Sequence, residues 1–358
     1  MSENQETEIV RLVKKIEQEV TQPVHLLSAC SGYQVTLQKY GLEPLLPEPL
    51  RIHYATGCPA CLLGPDFIDK LIAYSQRNNV IIATYHDLLG IPGSQASLEK
   101  ARTAGADIRV VSNIWDMLLL AKKNRRKRIV FPAIGFESAA SSTAAAILQA
   151  KVAGIFNFQV LTGHRRLPAC MEKILQKKDF PVHGVLTSAR VAASMGSHYF
   201  SSLSQNYRIP QVISSYEPEI LLQAILSLVK QINRQTTEIE NFFPEAVSEK
   251  GNIKSHQLLE EVFEITAGDC TGLGTVKDST FRIKNEYRMF DAEKVFFDVQ
   301  LPDPAIAEGC ICGEIISGNK KPQACKHFRK DCHPVQALGT CMHAEEGPCR
   351  TEYLFGEK

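Results

Sequence analysis

The chain lacks a charge of one sign: across its 358 residues, 40 Lys and Arg stand against 39 Asp and Glu, a formal net charge of +1. That balance disfavours nucleic acid or an anionic membrane surface as partner, since each needs a basic face. Long hydrophobic runs are missing as well. Patches such as Met117 to Ala121 fall far short of the roughly 18 to 20 apolar residues of a spanning helix, so no membrane segment is expected. The N-terminal Met-Ser-Glu-Asn-Gln-Glu-Thr-Glu is acidic where a secretory signal starts basic and turns apolar, which leads to the expectation of a cytoplasmic protein. Neither a Walker A loop nor a GxGxxG turn occurs, so nucleotide binding has no motif behind it. With 44% hydrophobic residues, the chain reads as a well-mixed globular protein of two or three domains.

Cysteine, by contrast, is plentiful. Of the 11 in the chain, Cys30, Cys58, Cys61, Cys170 and Cys270 are scattered, while Cys310, Cys312, Cys325, Cys332, Cys341 and Cys349 crowd the last 49 residues. In a reducing compartment such a cluster points to metal binding or redox chemistry rather than a disulfide framework.

Ile9, Leu12, Val13, Ile16 and Val20 keep a helical apolar spacing, giving an amphipathic N-terminal helix. From about residue 50, short apolar runs alternate with amphipathic stretches. Strands are expected at 50–54, 80–84, 108–111, 129–133, 156–161, 184–186 and 211–213, with helices at 67–75, 143–151 and 217–233 among them. Such alternation predicts an α/β fold of doubly wound parallel sheets with helices on both faces. The basic run 122–128 separates two halves of similar grammar, as cations placed at a helix C-terminus and a solvated turn would. The expected division is therefore 1–125, an N-terminal helix and first α/β domain; 126–235, a second α/β domain whose last helix packs on the first; and 236–358, a small cysteine-rich C-terminal domain. Residues 236–253 read as a polar loop and 256–263 as a helix.

Gly57-Cys58-Pro59-Ala60-Cys61 follows one strand and precedes a helix. A helix N-terminus lowers a thiol's pKa, the logic of a redox-active Cys-x-x-Cys pair, although half of a zinc site or two structural cysteines fit the same spacing. Cys30 lies in a small-residue turn, as either an open thiol or a small buried apolar group. The tail cysteines are separated by one, twelve, six, eight and seven residues, matching neither zinc-ribbon knuckles nor the bacterial ferredoxin run. Thiolates brought together by loops hold iron–sulfur or zinc, and His327, His333 and His343 are spare donors expected to face solvent. Asp87 and Glu137 each follow a strand, where open α/β sheets place ligands; each also suits the start of the next helix.

Taken together, these segments resemble the hydrogenase maturation factor HypD family from about Cys30 to Tyr353. The resemblance rests on GCPxC at 57–61, on TYHDLLGIPG at 84–93 (similar to the family's TFGDxxRVPG) and on 134–137 (similar to its GFET segment). Phe290-Asp291-Ala292-Glu293 and the tail segments CxCGE, KKPxxC and CMxxxEGxC extend it in family order. It implies two Rossmann-like α/β domains and a C-terminal iron–sulfur domain with a [4Fe-4S] cluster. It also implies a scaffold on which transient mononuclear iron acquires cyanide and carbon monoxide, working with a HypC-type chaperone and a HypE-type cyanide donor. Carried over, Cys30 matches the iron-holding thiol, and Cys58 and Cys61 the redox pair. For the cluster the family's wide spacing selects Cys310, Cys325, Cys332 and Cys349, with Cys312 and Cys341 as alternates. Three positions depart from the family. Tyr33 replaces the histidine of CGGH, Gly90 replaces an arginine, and Thr187-Ser188-Ala189-Arg190 replaces a PGH turn. Two other functions compete with that of the scaffold: a diverged iron–sulfur thiol oxidoreductase acting on another partner, and a zinc-stabilised interaction protein.

Overall fold

The computed structural model describes residues 3–356. Among the described residues, eleven strands form two parallel sheets and one antiparallel hairpin. β1 (Val24–Ser28), β2 (Leu50–Tyr54), β7 (Gly184–Thr187), β8 (Gln211–Ile213) and β9 (Ile239–Asn241) make the larger sheet, in the order β2-β1-β7-β8-β9. The smaller sheet runs β4-β3-β5-β6, from β3 (Val80–Thr84), β4 (Ile108–Val110), β5 (Arg128–Gly135) and β6 (Phe158–His164). Side-chain alternation along each strand divides the core into layers. Leu26 on β1 joins the layer of Ile9, Ile16, Leu221 and Ile225, whereas Leu27 joins the opposite one with Val185 and Phe200. On β3, Ile82 and Ile81 likewise face different layers. Helices cover the sheets on both faces, as expected of parallel strands.

The strand pairing does not follow the division at residue 125. β5 lies beside β3, with Ile81 opposite Ile129, so the expected boundary falls inside the smaller sheet. β7 returns to pair with β1, with Leu27 opposite Val185. The larger sheet is thus built from both sides of the smaller one. The reason is that parallel neighbours are set by crossovers and not by nearness in sequence. The basic run closes helix Ile114–Lys123 and turns into β5, and Lys127 pairs there with Asp107 at 2.8 Å. Helix Pro218–Arg234 packs on helix Glu3–Glu19, and Asn233 donates to the Glu19 carbonyl at 2.9 Å.

The polar stretch 236–253 contains the edge strand β9, and the expected helix at 256–263 runs from Ile253 to Val262. An antiparallel hairpin follows, β10 (Phe263–Cys270) and β11 (Gly274–Ile283), docked beside β6 through a bridge between Arg165 and Thr280. Beyond it, the chain has only short helices, among them Cys312–Ile316, Thr340–His343 and Pro348–Phe355. The last of these lies on helix Ser31–Lys39, where Gln38 Nε2 donates to Glu352 Oε2 at 2.6 Å. The cysteine-rich tail therefore folds back over the C-terminal ends of β1 and β2.

Candidate functional site

Cys30 is the residue before helix Ser31–Lys39, at the C-terminal end of β1. Gly57, after β2, packs directly against it: a Cβ there would stand 2.9 Å from the Cys30 carbonyl carbon and 3.2 Å from its Cα. Only glycine allows this approach. Ser31 Oγ shares its proton between the Gly57 carbonyl (2.9 Å) and Glu346 Oε2 (2.8 Å), tying the Cys30 turn, the Gly57 turn and the tail together. The small crevice between them is lined by Ser31, Gly57, Cys58, Cys61 and Glu346.

Cys58 and Cys61 are joined by a disulfide and are both buried. Cys61 lies in a 3-10 turn, Ala60–Leu62, with Cys58 just before it, and the following helix begins only at Pro65. The helix N-terminus expected beside the pair thus stands four residues beyond Cys61, and the Cys61 amide lies 3.3 Å from Cys58 Sγ. Just before this turn Thr56 has φ 62°, an unfavourable backbone for a β-branched residue. Its amide donates to the Ile316 carbonyl of the tail at 3.2 Å.

The Cys30 thiol is buried, and burial pushes its pKa up, with partial opposition from the Tyr216 hydroxyl 3.5 Å away and from Arg190. The Arg190 guanidinium lies over the Tyr216 ring, 5.5 Å from its centroid, and is ion-paired with Glu346. None of Tyr216, Arg190 and Glu346 was legible as a site residue in the sequence. Their traces were that Arg190 falls in a segment departing from the family and that Glu346 is the glutamate of the tail segment CMxxxEGxC.

Tyr33 does not take the part of the missing histidine. Its hydroxyl donates to the carbonyls of Ser214 (2.7 Å) and Thr187 (3.0 Å) and accepts from the Ser214 amide (2.9 Å). It clasps the ends of β7 and β8 and has no hydrogen bond left to offer at Cys30. Gly90 is matched by His343: a Cβ at position 90 would run into the imidazole ring. His343 is thus packed against the loop after β3 and is half-buried, where an open, solvent-facing side chain is expected. The half-buried His327 is bonded to Asp331 and to the Glu308 carbonyl.

Asp87 and Glu137 lie in different surroundings. Asp87 sits in the short turn His86–Leu88; burial, then Glu345, raises its pKa. Glu137 opens helix Glu137–Val152 yet turns its carboxylate to other elements, accepting from the Leu167 amide (3.0 Å) and the Tyr199 hydroxyl (2.9 Å). It is fully buried, its Oε2 has no partner, and burial pushes its pKa up to about 7.

In the tail, Cys341 and Cys349 thiols lie 3.2 Å apart, and Cys312 contacts both Cys310 and Cys341. Cys332 Sγ accepts from the Leu338 amide at 3.4 Å and lies in the field of Cys310 and Cys325. Gly339 leaves room beside Cys310 and Cys312. In donor type the six thiols suit a soft, thiolate-ligated iron centre. Among the described residues, no group of three or more His, Cys, Asp or Glu closes round a position for a single metal ion. No helix among them is long and apolar enough to cross a membrane.

The profile of the HypD family, described as "Hydrogenase formation hypA family", matches residues 7–356. The hydrogenase maturation factor HypD of Rhodobacter capsulatus is 35% identical over 353 residues, covering 98% of this chain and 94% of that protein. That of Cupriavidus necator is 36% identical over 343 residues, covering 94% and 90%. A putative hydrogenase expression/formation protein of Methanocaldococcus jannaschii is 32% identical over 349 residues, covering 97% and 95%. With the profile matched over residues 7–356 and 35% identity over nearly the whole of a curated relative, the chain belongs to the HypD family of hydrogenase maturation factors.

Proposed function

We propose that the chain is a maturation scaffold on which the iron of a [NiFe]-hydrogenase acquires two cyanides and one carbon monoxide, together with a HypC-type chaperone and a HypE-type cyanide donor. The observation that carries this function is the crevice lined by Cys58, Cys61 and Glu346, with the Cys30 backbone packed against Gly57 in its wall. Iron is the cargo, and the Cys30 thiolate is its anchor; a soft sulfur ligand suits low-spin iron. Arg190, beside Cys30, offsets the negative charge that cyanide adds, and the Tyr216 hydroxyl is the nearest hydrogen-bond donor to a ligand there. Reductive steps draw on Cys58 and Cys61 as a dithiol/disulfide couple.

Four tail thiolates, with Cys310, Cys325, Cys332 and Cys349 preferred over Cys312 and Cys341, would hold a [4Fe-4S] cluster, which when bound supplies single electrons. Support for a link to the disulfide comes from a cavity lined by both Cys61 and Cys312.

The test is infrared spectroscopy of the anaerobically purified protein with its partner set, because bound cyanide and carbon monoxide absorb where proteins do not. Diatomic bands are expected in the wild type and should vanish in Cys30→Ala. Their absence from the wild type with all partners present would reject the scaffold in favour of a thiol oxidoreductase. Stoichiometric zinc without sulfide would reject the cluster.

A further inference from the structure

Two cysteines, Cys170 and Cys270, belong neither to the crevice nor to the tail. Cys170 lies in helix Leu167–Leu175 and Cys270 ends β10; both are buried, and their thiols are in contact. Cys270 Sγ is also 3.9 Å from Ser279 Oγ and 4.0 Å from the Gly268 carbonyl. Arg165 is buried beside this pair. Its terminal nitrogens donate to the carbonyls of His164 (3.3 Å) and Asp269 (3.0 Å), and its Nε has no hydrogen-bond partner. A buried cation with a bare N–H favours the thiolate form of a neighbouring sulfur. The Cys170 contact and Arg165 accordingly make Cys270 the more acidic of the two.

The turn that Cys270 begins is wedged between the other cysteine groups. Thr271 donates its amide to the Leu62 carbonyl at 2.9 Å, directly after Cys61. Gly272 packs on the Gly313 carbonyl, directly after Cys312. Thr271 also lines the cavity shared by Cys61 and Cys312.

We propose that Cys170 and Cys270 are a second two-electron thiol couple, one that exchanges with the Cys58–Cys61 disulfide. A shift of the hairpin turn brings the Cys270 thiolate onto Cys61. The Cys61–Cys270 bond forms as the Cys58–Cys61 bond breaks, and the electron pair leaves on Cys58. Cys170, having lost its proton, then attacks Cys270, which forms the Cys170–Cys270 bond and releases Cys61 as thiolate. Two electrons pass to Cys58 and Cys61, and the two protons given up by Cys170 and Cys270 end on them. The couple thus stores the oxidising equivalents of the crevice within the fold. It rests on the assignment of Cys58 and Cys61 as a redox pair.

The anaerobic holoprotein is poised in dithiothreitol buffers of stepped potential and acid-quenched. Free thiols are alkylated with a light reagent and, after full reduction, the remainder with a heavy one; peptide mass spectrometry then reads each site. Two separate two-electron transitions are expected, one at Cys58/Cys61 and one at Cys170/Cys270. Cys170→Ala, which removes the resolving thiol, should trap a peptide linking Cys270 to Cys61, and Cys270→Ala should not. Cys170 and Cys270 remaining thiols while Cys58–Cys61 titrates, with no linked peptide in Cys170→Ala, overturns the exchange. A Cys58–Cys61 pair that never titrates overturns instead the redox assignment on which it rests. The wild-type titration decides the matter even if a variant fails to fold.

Discussion

Replacing Glu137 by glutamine should flatten the pH dependence of stability. The folded carboxyl titrates at about 7 because it is fully buried, against an ordinary 4.5. Between those values the folded state holds a proton that the unfolded chain has lost, so stability falls as pH rises through this window and the penalty is complete above it. At 1.36 kcal/mol per pH unit the span corresponds to about 3 kcal/mol. Glutamine keeps an oxygen to accept from the Leu167 amide and the Tyr199 hydroxyl, and places its NH2 where Oε2 already lacks a partner. Glu137→Gln should therefore match the wild type near pH 5 and exceed it by about 3 kcal/mol near pH 8. Urea unfolding of both proteins at the two pH values, followed by circular dichroism, measures this as a difference of differences. That form cancels other groups of the same sign, such as Asp291, which burial raises to about 6. An equal loss of stability between pH 5 and pH 8 in both proteins would refute the assignment of the titration to Glu137.

Tyr33→Phe strands the Ser214 amide and two carbonyls at the ends of β7 and β8, and should cost roughly 2 to 4 kcal/mol in the urea midpoint. Tyr33→His should be no better, since the ring would face the same partners and not Cys30. Gly90→Ala forces the His343 ring aside and should cost roughly 1 to 3 kcal/mol, most of it recovered in the double variant with His343→Ala. A double-mutant cycle showing no coupling between the two positions would contradict the packing.

How far the sequence discloses this structure depends on what each segment must bury. β2, β3 and β8 were placed to the residue because they stand out as apolar runs between polar punctuation. β9 escaped because an edge strand needs no continuous apolar face, and Ile239–Asn241 holds only one apolar residue. The hairpin escaped for a similar reason: Glu264, Asp269, Lys277 and Asp278 interrupt strands of which one face meets water. The cysteines were legible as chemistry wherever they fell. Tyr216 carried no such sign, and Arg190 and Glu346 only their places in segments compared with the family, since a residue becomes a neighbour of Cys30 only once crossovers of 160 residues or more have closed.

The return of β7 to β1 also fixes a timetable for synthesis. β1 and β2 leave the ribosome first, but the strand that covers the open side of β1 begins only at residue 184. At ordinary elongation rates, on the order of ten seconds separate the two; the smaller sheet is completed only near the end of that interval, and the larger keeps a bare edge throughout it. A nascent chain with between 165 and 183 residues clear of the ribosome should thus carry one complete sheet and one aggregation-prone ribbon. The crevice beside the Cys30 turn comes into being last of all, when Glu346 of the tail closes over a body that is already folded.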